Sequence, residues 1–245
     1  MAQRNAWVVE TDKAAKEAQV AVVGLPDIGL VGSISTTYLA THLKAREVCY
    51  IDSDALPPVM VLHNGVPKET TRIFDSNEAK ILVSETPLPP ALMVIVLKVA
   101  LEWLKKNGVK EVFSLGGIPV ENRVEIEKPE VFLISSDAKK REQIRASGLN
   151  LMEEGVLVGP FAHVMRESLR LGIANTVILG QAFQNMPDPE ASVAVLETLA
   201  KIGGPKVDLT PLNQMADQIK LRSKEVLQKI REHEEGGYNL PLMYG

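Results

Sequence analysis

Val20-Ala21-Val22-Val23-Gly24, followed directly by Leu25-Pro26-Asp27-Ile28-Gly29-Leu30-Val31-Gly32, decides how the rest of the chain reads. The first five residues are an unbroken apolar run, rich in β-branched side chains and closed by glycine. A half-exposed strand alternates polar and apolar residues. A run without alternation belongs to a strand covered on both faces, as parallel strands are. Two later runs repeat the pattern: Val112-Phe113-Ser114-Leu115 before Gly116, and Thr176-Val177-Ile178-Leu179 before Gly180. Helical patterns lie between the runs. Pro90 to Asn107 carries Leu92, Ile95, Val99 and Leu104 near helical spacing and closes on Lys105, Lys106 and Gly108. Asp137 to Ser147 opens on a capping aspartate, and Pro160 to Leu171 has proline in its first turn. Asp188 to Ile202 runs into Gly203-Gly204-Pro205. Strands alternating with helices predict an α/β chain with a mostly parallel sheet covered on both faces.

One segment breaks the rhythm. Val59-Met60-Val61-Leu62-His63 meets Asn64-Gly65, and Thr70-Thr71-Arg72-Ile73-Phe74 follows. Asn-Gly between β-rich segments signals an antiparallel hairpin, and Pro67 points to a turn longer than two residues. Pro211 to Glu235 reads as a polar helix with Leu212, Ala216, Ile219, Val226 and Ile230 on one stripe. Arg222 and Lys229 fall where coiled-coil d positions would lie, which argues against a dimeric zipper. That helix is expected to pack on the domain or on a neighbouring subunit. The expected organisation is one α/β domain over 1–210, a C-terminal helix over 211–235, and a tail over 236–245 that opens on Gly236-Gly237.

Composition excludes several classes of function. With 31 acidic and 27 basic residues, the net charge of −4 leaves no electrostatic footprint for nucleic acid. The single cysteine, Cys49, has no intramolecular disulfide partner and sits in a strand-like context, where a buried thiol is inert. Residues 1–10 mix Arg4, Asn5 and Glu10 with apolar side chains, unlike a secretory signal, and Ala91 to Leu97 is too short to span a bilayer. A soluble, cytoplasmic protein is expected.

Candidate chemistry is sparse. The glycine loop 24–32 sits where a phosphate cradle would, at a helix N-terminus, but its spacing is neither the dinucleotide fingerprint nor the P-loop. Tight turning and close helix–strand packing are the better account of its glycines. Ser114 has Gly116 after it but Val112 before it, so no nucleophile elbow exists. His42, His63, His163 and His233 show no metal spacing, and one cysteine rules out a zinc cluster. Glu121, Glu125 and Glu127 read as a solvated loop. Asp52 and Asp54 close a strand at the end where open α/β sheets bind ligands. No catalytic residue, metal or cofactor is expected.

The chain closes on Met243-Tyr244-Gly245, a hydrophobic–tyrosine–any ending on a glycine tether. A terminal carboxylate can be captured by backbone N–H groups or a basic side chain, and a penultimate tyrosine is a rigid, amphipathic anchor.

Val23-Gly24-Leu25-Pro26-Asp27-Ile28-Gly29-Leu30-Val31-Gly32 and Ile51-Asp52-Ser53-Asp54-Ala55-Leu56-Pro57-Pro58 belong to a longer ordered set. Ser84-Glu85-Thr86-Pro87-Leu88-Pro89-Pro90, Leu115-Gly116-Gly117-Ile118-Pro119 and Pro187-Asp188-Pro189 complete it. In this order, over about residues 20 to 230, they resemble the archaeal homologues of the proteasome assembly chaperone family. The resemblance implies a three-layer α/β/α fold like that of nucleoside phosphorylases and peptidyl hydrolases, without their catalysis. It implies homo-oligomers larger than a dimer that engage 20S proteasome α-subunits. Family members that act on the proteasome end in hydrophobic–tyrosine–any tails, which places the partner-binding role on Met243, Tyr244 and Gly245. The rival from another class is a phosphorylase-like or nucleotide-binding enzyme using the loop 24–32 and the Asp52/Asp54 rim.

Overall fold

The apolar run at Val20–Gly24 forms a strand, and it lies at the centre of the sheet. The computed structural model describes residues 5–15 and 17–219. Its strands are β1 (Trp7–Glu10), β2 (Val20–Gly24), β3 (Arg46–Asp52), β4 (Val61–His63), β5 (Val66–Lys68) and β6 (Thr71–Asp75). They continue with β7 (Lys80–Ser84), β8 (Glu111–Pro119), β9 (Val131–Ser135), β10 (Asn150–Leu151) and β11 (Ala174–Ala182). The helices are α1 (Val31–His42), α2 (Pro90–Lys106), α3 (Ala138–Ala146), α4 (Gly159–Leu171) and α5 (Pro189–Lys201). None of the helices among the described residues is long and apolar enough to cross a membrane.

Apart from β4 and β5, the strands form one sheet in the order β1-β3-β6-β7-β2-β8-β11-β9-β10. Its middle, β7-β2-β8-β11, is parallel throughout. Antiparallel pairs extend it on both sides, through β6, β3 and β1 at one edge and through β9 at the other. The unbroken apolar runs therefore mark the parallel middle, and the wings make the whole a mixed sheet.

Alternation along β2 explains the layers. Val22 points to the face covered by α1, α3 and α5, where it packs with Leu39, Phe113, Ile144 and Leu199. Ala21 and Val23 point to the face covered by α2, where Leu97, Leu101 and Leu104 pack. This is the three-layer α/β/α fold expected from the family resemblance. Each fully buried side chain of this size contributes about 1.5–3 kcal/mol, so a charge placed at Val22 would break the fold at its middle.

Helix boundaries follow the capping signals. Asp137 accepts a hydrogen bond from the N–H of Lys140 at 2.7 Å, and Asp188 accepts one from the N–H of Ala191 at 2.9 Å. Gly172 ends α4 with a left-handed φ of 64°. Cys49 is buried in β3, and burial pushes its thiol up to about 12.

A hairpin forms at Asn64-Gly65, but its second strand is β5, and its turn is shorter than Pro67 suggested. The segment over 70–74, expected as that second strand, instead enters the main sheet as β6 between β3 and β7. His63 pairs directly with Val66, so Asn64-Gly65 is a two-residue turn, with φ of 52° and 79°. Positive φ at both positions is what a type I′ turn requires. Pro67 is accommodated because both strands of a two-stranded ribbon are edges.

The C-terminal helix is under way over 210–219 and packs on its own domain: Leu212 joins the core with Leu199 and Ile202. The Tyr38 hydroxyl donates to the Asp208 carbonyl and holds the preceding segment against α1. Residues 220–235, over which the helix was expected to continue, and Gly236-Gly237 and Met243-Tyr244-Gly245 lie outside the described residues.

Candidate functional site

The glycines of the loop after β2 are demanded by backbone contact. A Cβ on Gly24 would stand 2.1 Å from the Gly32 carbonyl oxygen, and one on Gly32 would stand 2.5 Å from that of Leu115. On the facing strand, a Cβ on Gly117 would meet the Ile28 carbonyl oxygen at 2.3 Å. The loop thus lies flat on the end of β8. Asp27 fixes it there. Its Oδ1 accepts from the Gly32 N–H at 3.0 Å, and its Oδ2 accepts from the Gly117 N–H at 2.6 Å. Gly32 belongs to the first turn of α1, so the carboxylate occupies the seat that a bound phosphate takes in an anion-binding loop. Burial pushes Asp27 up to about 7, opposed by the amides of Gly32 and Gly117.

A second buried carboxylate braces the same loop. Asp188 donates its N–H to the Gly29 carbonyl at 2.8 Å, caps α5, and accepts from the Phe183 N–H at 3.1 Å. Arg123, only 1% exposed, donates to Asp188 through Nε at 2.8 Å and Nη2 at 3.1 Å. It also donates to Glu190 at 2.8 Å and to the Ile126 carbonyl at 3.0 Å. The loop holding Glu121, Glu125 and Glu127 exposes those three side chains, but it turns Arg123 inward between them.

A groove of about 550 Å³ opens beside Asp27, at the C-terminal ends of β2 and β8. Ile118, Ile134, Leu157, Phe161 and Leu179 line it, with Met93 and Met152 at its sides. Among its lining residues Asp27 alone is ionisable. Asp52 and Asp54 take no part in it: β6 and β7 stand between β3 and β2, and Asp52 instead accepts from the Ser53 N–H at 2.7 Å. The enzyme alternative needed the glycine loop and that rim together, and the fold holds them apart. Ser114 is buried and donates to Asn175 Oδ1 at 3.3 Å rather than to a base.

Histidines separate in the same way. His42 and His163 lie on helices α1 and α4, whereas His63 meets a polar cluster. His63 Nε2 is 2.9 Å from Glu85 and 3.1 Å from Arg72, and Arg72 also pairs with Glu85 and with Glu47. These contacts fasten the β4–β5 ribbon to the main sheet. Neither the Arg72 cluster nor the Arg123 network has a local sequence signal, because both join residues far apart in the chain. Asp188 alone had a local signal, as the first residue of the helical pattern that runs to Ile202.

The fold recurs in solved structures. Pyrococcus furiosus PbaA, an archaeal homolog of proteasome-assembly chaperone, superposes with a TM-score of 0.80 at 27% identity, covering 94% of this chain and 95% of that one. Pyrococcus furiosus PbaB, an archaeal proteasome activator, shares the fold with a TM-score of 0.76 at 23% identity over 94% of this chain and 100% of that one. An uncharacterized protein of Methanocaldococcus jannaschii, MJ1210, is 23% identical over 233 residues, which is 89% of this chain and 85% of that one. The profile of the PAC2 family matches residues 21–227, from the second residue of β2 past the described part of the C-terminal helix. The chain belongs to the PAC2 family.

Proposed function

We propose that this chain is a non-enzymatic, homo-oligomeric proteasome-binding factor, an assembly chaperone or adaptor for the 20S particle, acting in the cytoplasm. The observation that carries the reading is the likeness to PbaA, itself a homolog of proteasome-assembly chaperone, over 94% of the chain. The loop supports it over a phosphorylase-like or nucleotide-binding enzyme, because Asp27 already fills the anion seat at α1 and would repel a phosphate there.

In this reading the tail over 236–245 docks between neighbouring α-subunits. Tyr244 enters as the aromatic anchor, Met243 adds an apolar contact, and the Gly245 carboxylate pairs with a pocket lysine. Several tails on one oligomer larger than a dimer gain avidity through effective concentration. Exposed Leu62 and Val66 on the β4–β5 ribbon, with Val59 and Met60 just before it, are apolar surface of the kind that self-association covers.

Surface plasmon resonance against an archaeal proteasome α-ring tests the tail. Tyr244→Ala should weaken each engaged tail by about 2 kcal/mol or more, as hot-spot aromatics do. One residue appended after Gly245 should weaken it comparably, since the carboxylate moves while every side chain stays. Neither change should alter oligomer size in light scattering. Equal binding by wild type and both variants would refute tail docking, and a monomer's mass at micromolar concentration would refute the oligomer.

A further inference from the structure

The groove beside Asp27 is left unused by tail docking, and its construction is that of a small-ligand site. At about 550 Å³ it falls within the range of such sites, ~300–1,000 Å³. Its floor comes from rigid elements: Ile118 at the end of β8, Leu179 of β11 and Phe161 in the first turn of α4. Its outer wall is the segment over 152–158, in which Val156 is 88% exposed and Val158 is 71% exposed. Apolar side chains held open to solvent above an apolar floor gain free energy when a hydrocarbon body replaces the water between them.

Charge then selects among apolar ligands. Asp27 stands at the inner end of the groove, and each of its oxygens takes one amide, leaving lone pairs for a further donor. At the outer end the cavity continues past Met152 and Val156 to Glu153 and Glu154. Glu153 is paired with Arg145 at 2.9 Å, but no basic side chain lines either section. The feature of opposite sign is the N-terminus of α4, which has no side-chain cap. Pro160 in its first turn contributes no N–H there, so it offers an anion less than an ordinary helix start.

We propose that this groove binds a compact apolar cation, an aryl- or alkylammonium whose nitrogen pairs with the Asp27 carboxylate while its hydrocarbon body lies on Ile118, Leu157 and Phe161. The ammonium supplies the donor that the carboxylate lacks and restores in the groove the charge balance that burial opposes. The site is independent of the tail and stands whether or not Tyr244 docks.

The test uses the full chain with its methionine methyls labelled with carbon-13. Met93 and Met152 line the groove, while Met60, Met186 and Met215 are exposed elsewhere and serve as internal references. Three probes of one shape are titrated at pH 8: 4-phenylbutylamine, 4-phenylbutanol and 4-phenylbutyrate. The amine should shift the Met93 and Met152 signals and bind about ten-fold tighter than the alcohol, the worth of one charge-assisted hydrogen bond. The carboxylate should bind weakest. Asp27→Asn should reduce the amine to the alcohol's affinity. Val156→Lys, at a position exposed enough to leave the fold intact, should weaken the amine by placing a positive charge at the mouth. Equal affinity for the three probes would overturn the proposal, and so would tightest binding of the carboxylate. Unmoved Met93 and Met152 signals, or amine binding unchanged in both variants, would do the same.

Discussion

Removing the Asp188 carboxylate tests how firmly the glycine loop is braced. Asp188→Ala takes two hydrogen bonds from Arg123, at 2.8 and 3.1 Å, and leaves that guanidinium buried with Glu190 and the Ile126 carbonyl. Breaking a buried ion pair by deleting one partner costs about 3–5 kcal/mol. Glu190, which remains, places this case at the lower end. Losing the cap on the Ala191 N–H adds about 1 kcal/mol. The expected total is roughly 4 kcal/mol, a large share of a domain stability of ~5–15 kcal/mol. In urea, at a slope of about 2–3 kcal/mol per molar, the midpoint should fall by roughly 1.3–2 M, read by circular dichroism. Arg123→Met with Asp188→Asn should cost less than the two single changes added together, because each single change strands a buried charge and the pair strands none. Additive costs in that cycle, or a midpoint shift below about 0.3 M for Asp188→Ala, would refute the coupling.

Gly116→Ala would place a methyl 2.0 Å from the Phe161 ring and 2.5 Å from Asp27 Oδ2, so the overpacking should cost about 1–3 kcal/mol in thermal or urea unfolding and displace Phe161 in the groove. Asp27 rises from an ordinary 3.8 to about 7 on folding, so the folded chain holds the extra proton between those values. The stability this group contributes is therefore complete below pH 3.8 and is lost as pH rises through 7. Asp27→Asn should flatten that part of the stability–pH curve; an unchanged slope between pH 4 and 7 would show that Asp27 does not titrate there.

Three of the four parallel strands, β2, β8 and β11, were legible because each carries the largely apolar run that a strand covered on both faces needs; β7, which opens on Lys80, was not read. The antiparallel wings were not: β3 alternates enough to read as an ordinary strand, and nothing local says which neighbour it pairs with. Asn64-Gly65 announced its turn, while Pro67 misled because the penalty it carries depends on whether a third strand lies beside it. In the site, the glycine loop was visible and its contents were not. Asp27 reads as one acidic residue among 31 until Gly117, ninety positions on, is folded against it. Lys80 is the extreme case. It sits in a run ending in Ile81-Leu82-Val83, yet it is fully buried, donating to the Ala15 and Ala18 carbonyls at 2.6 and 3.3 Å and pairing with Asp75 at 3.3 Å. No periodicity marks a lysine that anchors a preceding segment from inside the sheet.

Asp27 also gives the glycine loop an anion of its own. In an anion-binding loop the amides at the helix start are left free, and glycine lets the ligand approach them. Here the glycines serve protein–protein backbone approach: Gly24 against Gly32, Gly32 against Leu115, and Gly117 against Ile28. The amides of Gly32 and Gly117 then face each other across a gap that one carboxylate fills. Once the loop supplies its own anion, the space beyond it is bounded by hydrocarbon and by that buried charge. The same residues that remove a phosphate site therefore create the conditions for a cationic one, and the charge of the ligand, rather than its size, becomes the quantity that distinguishes the two.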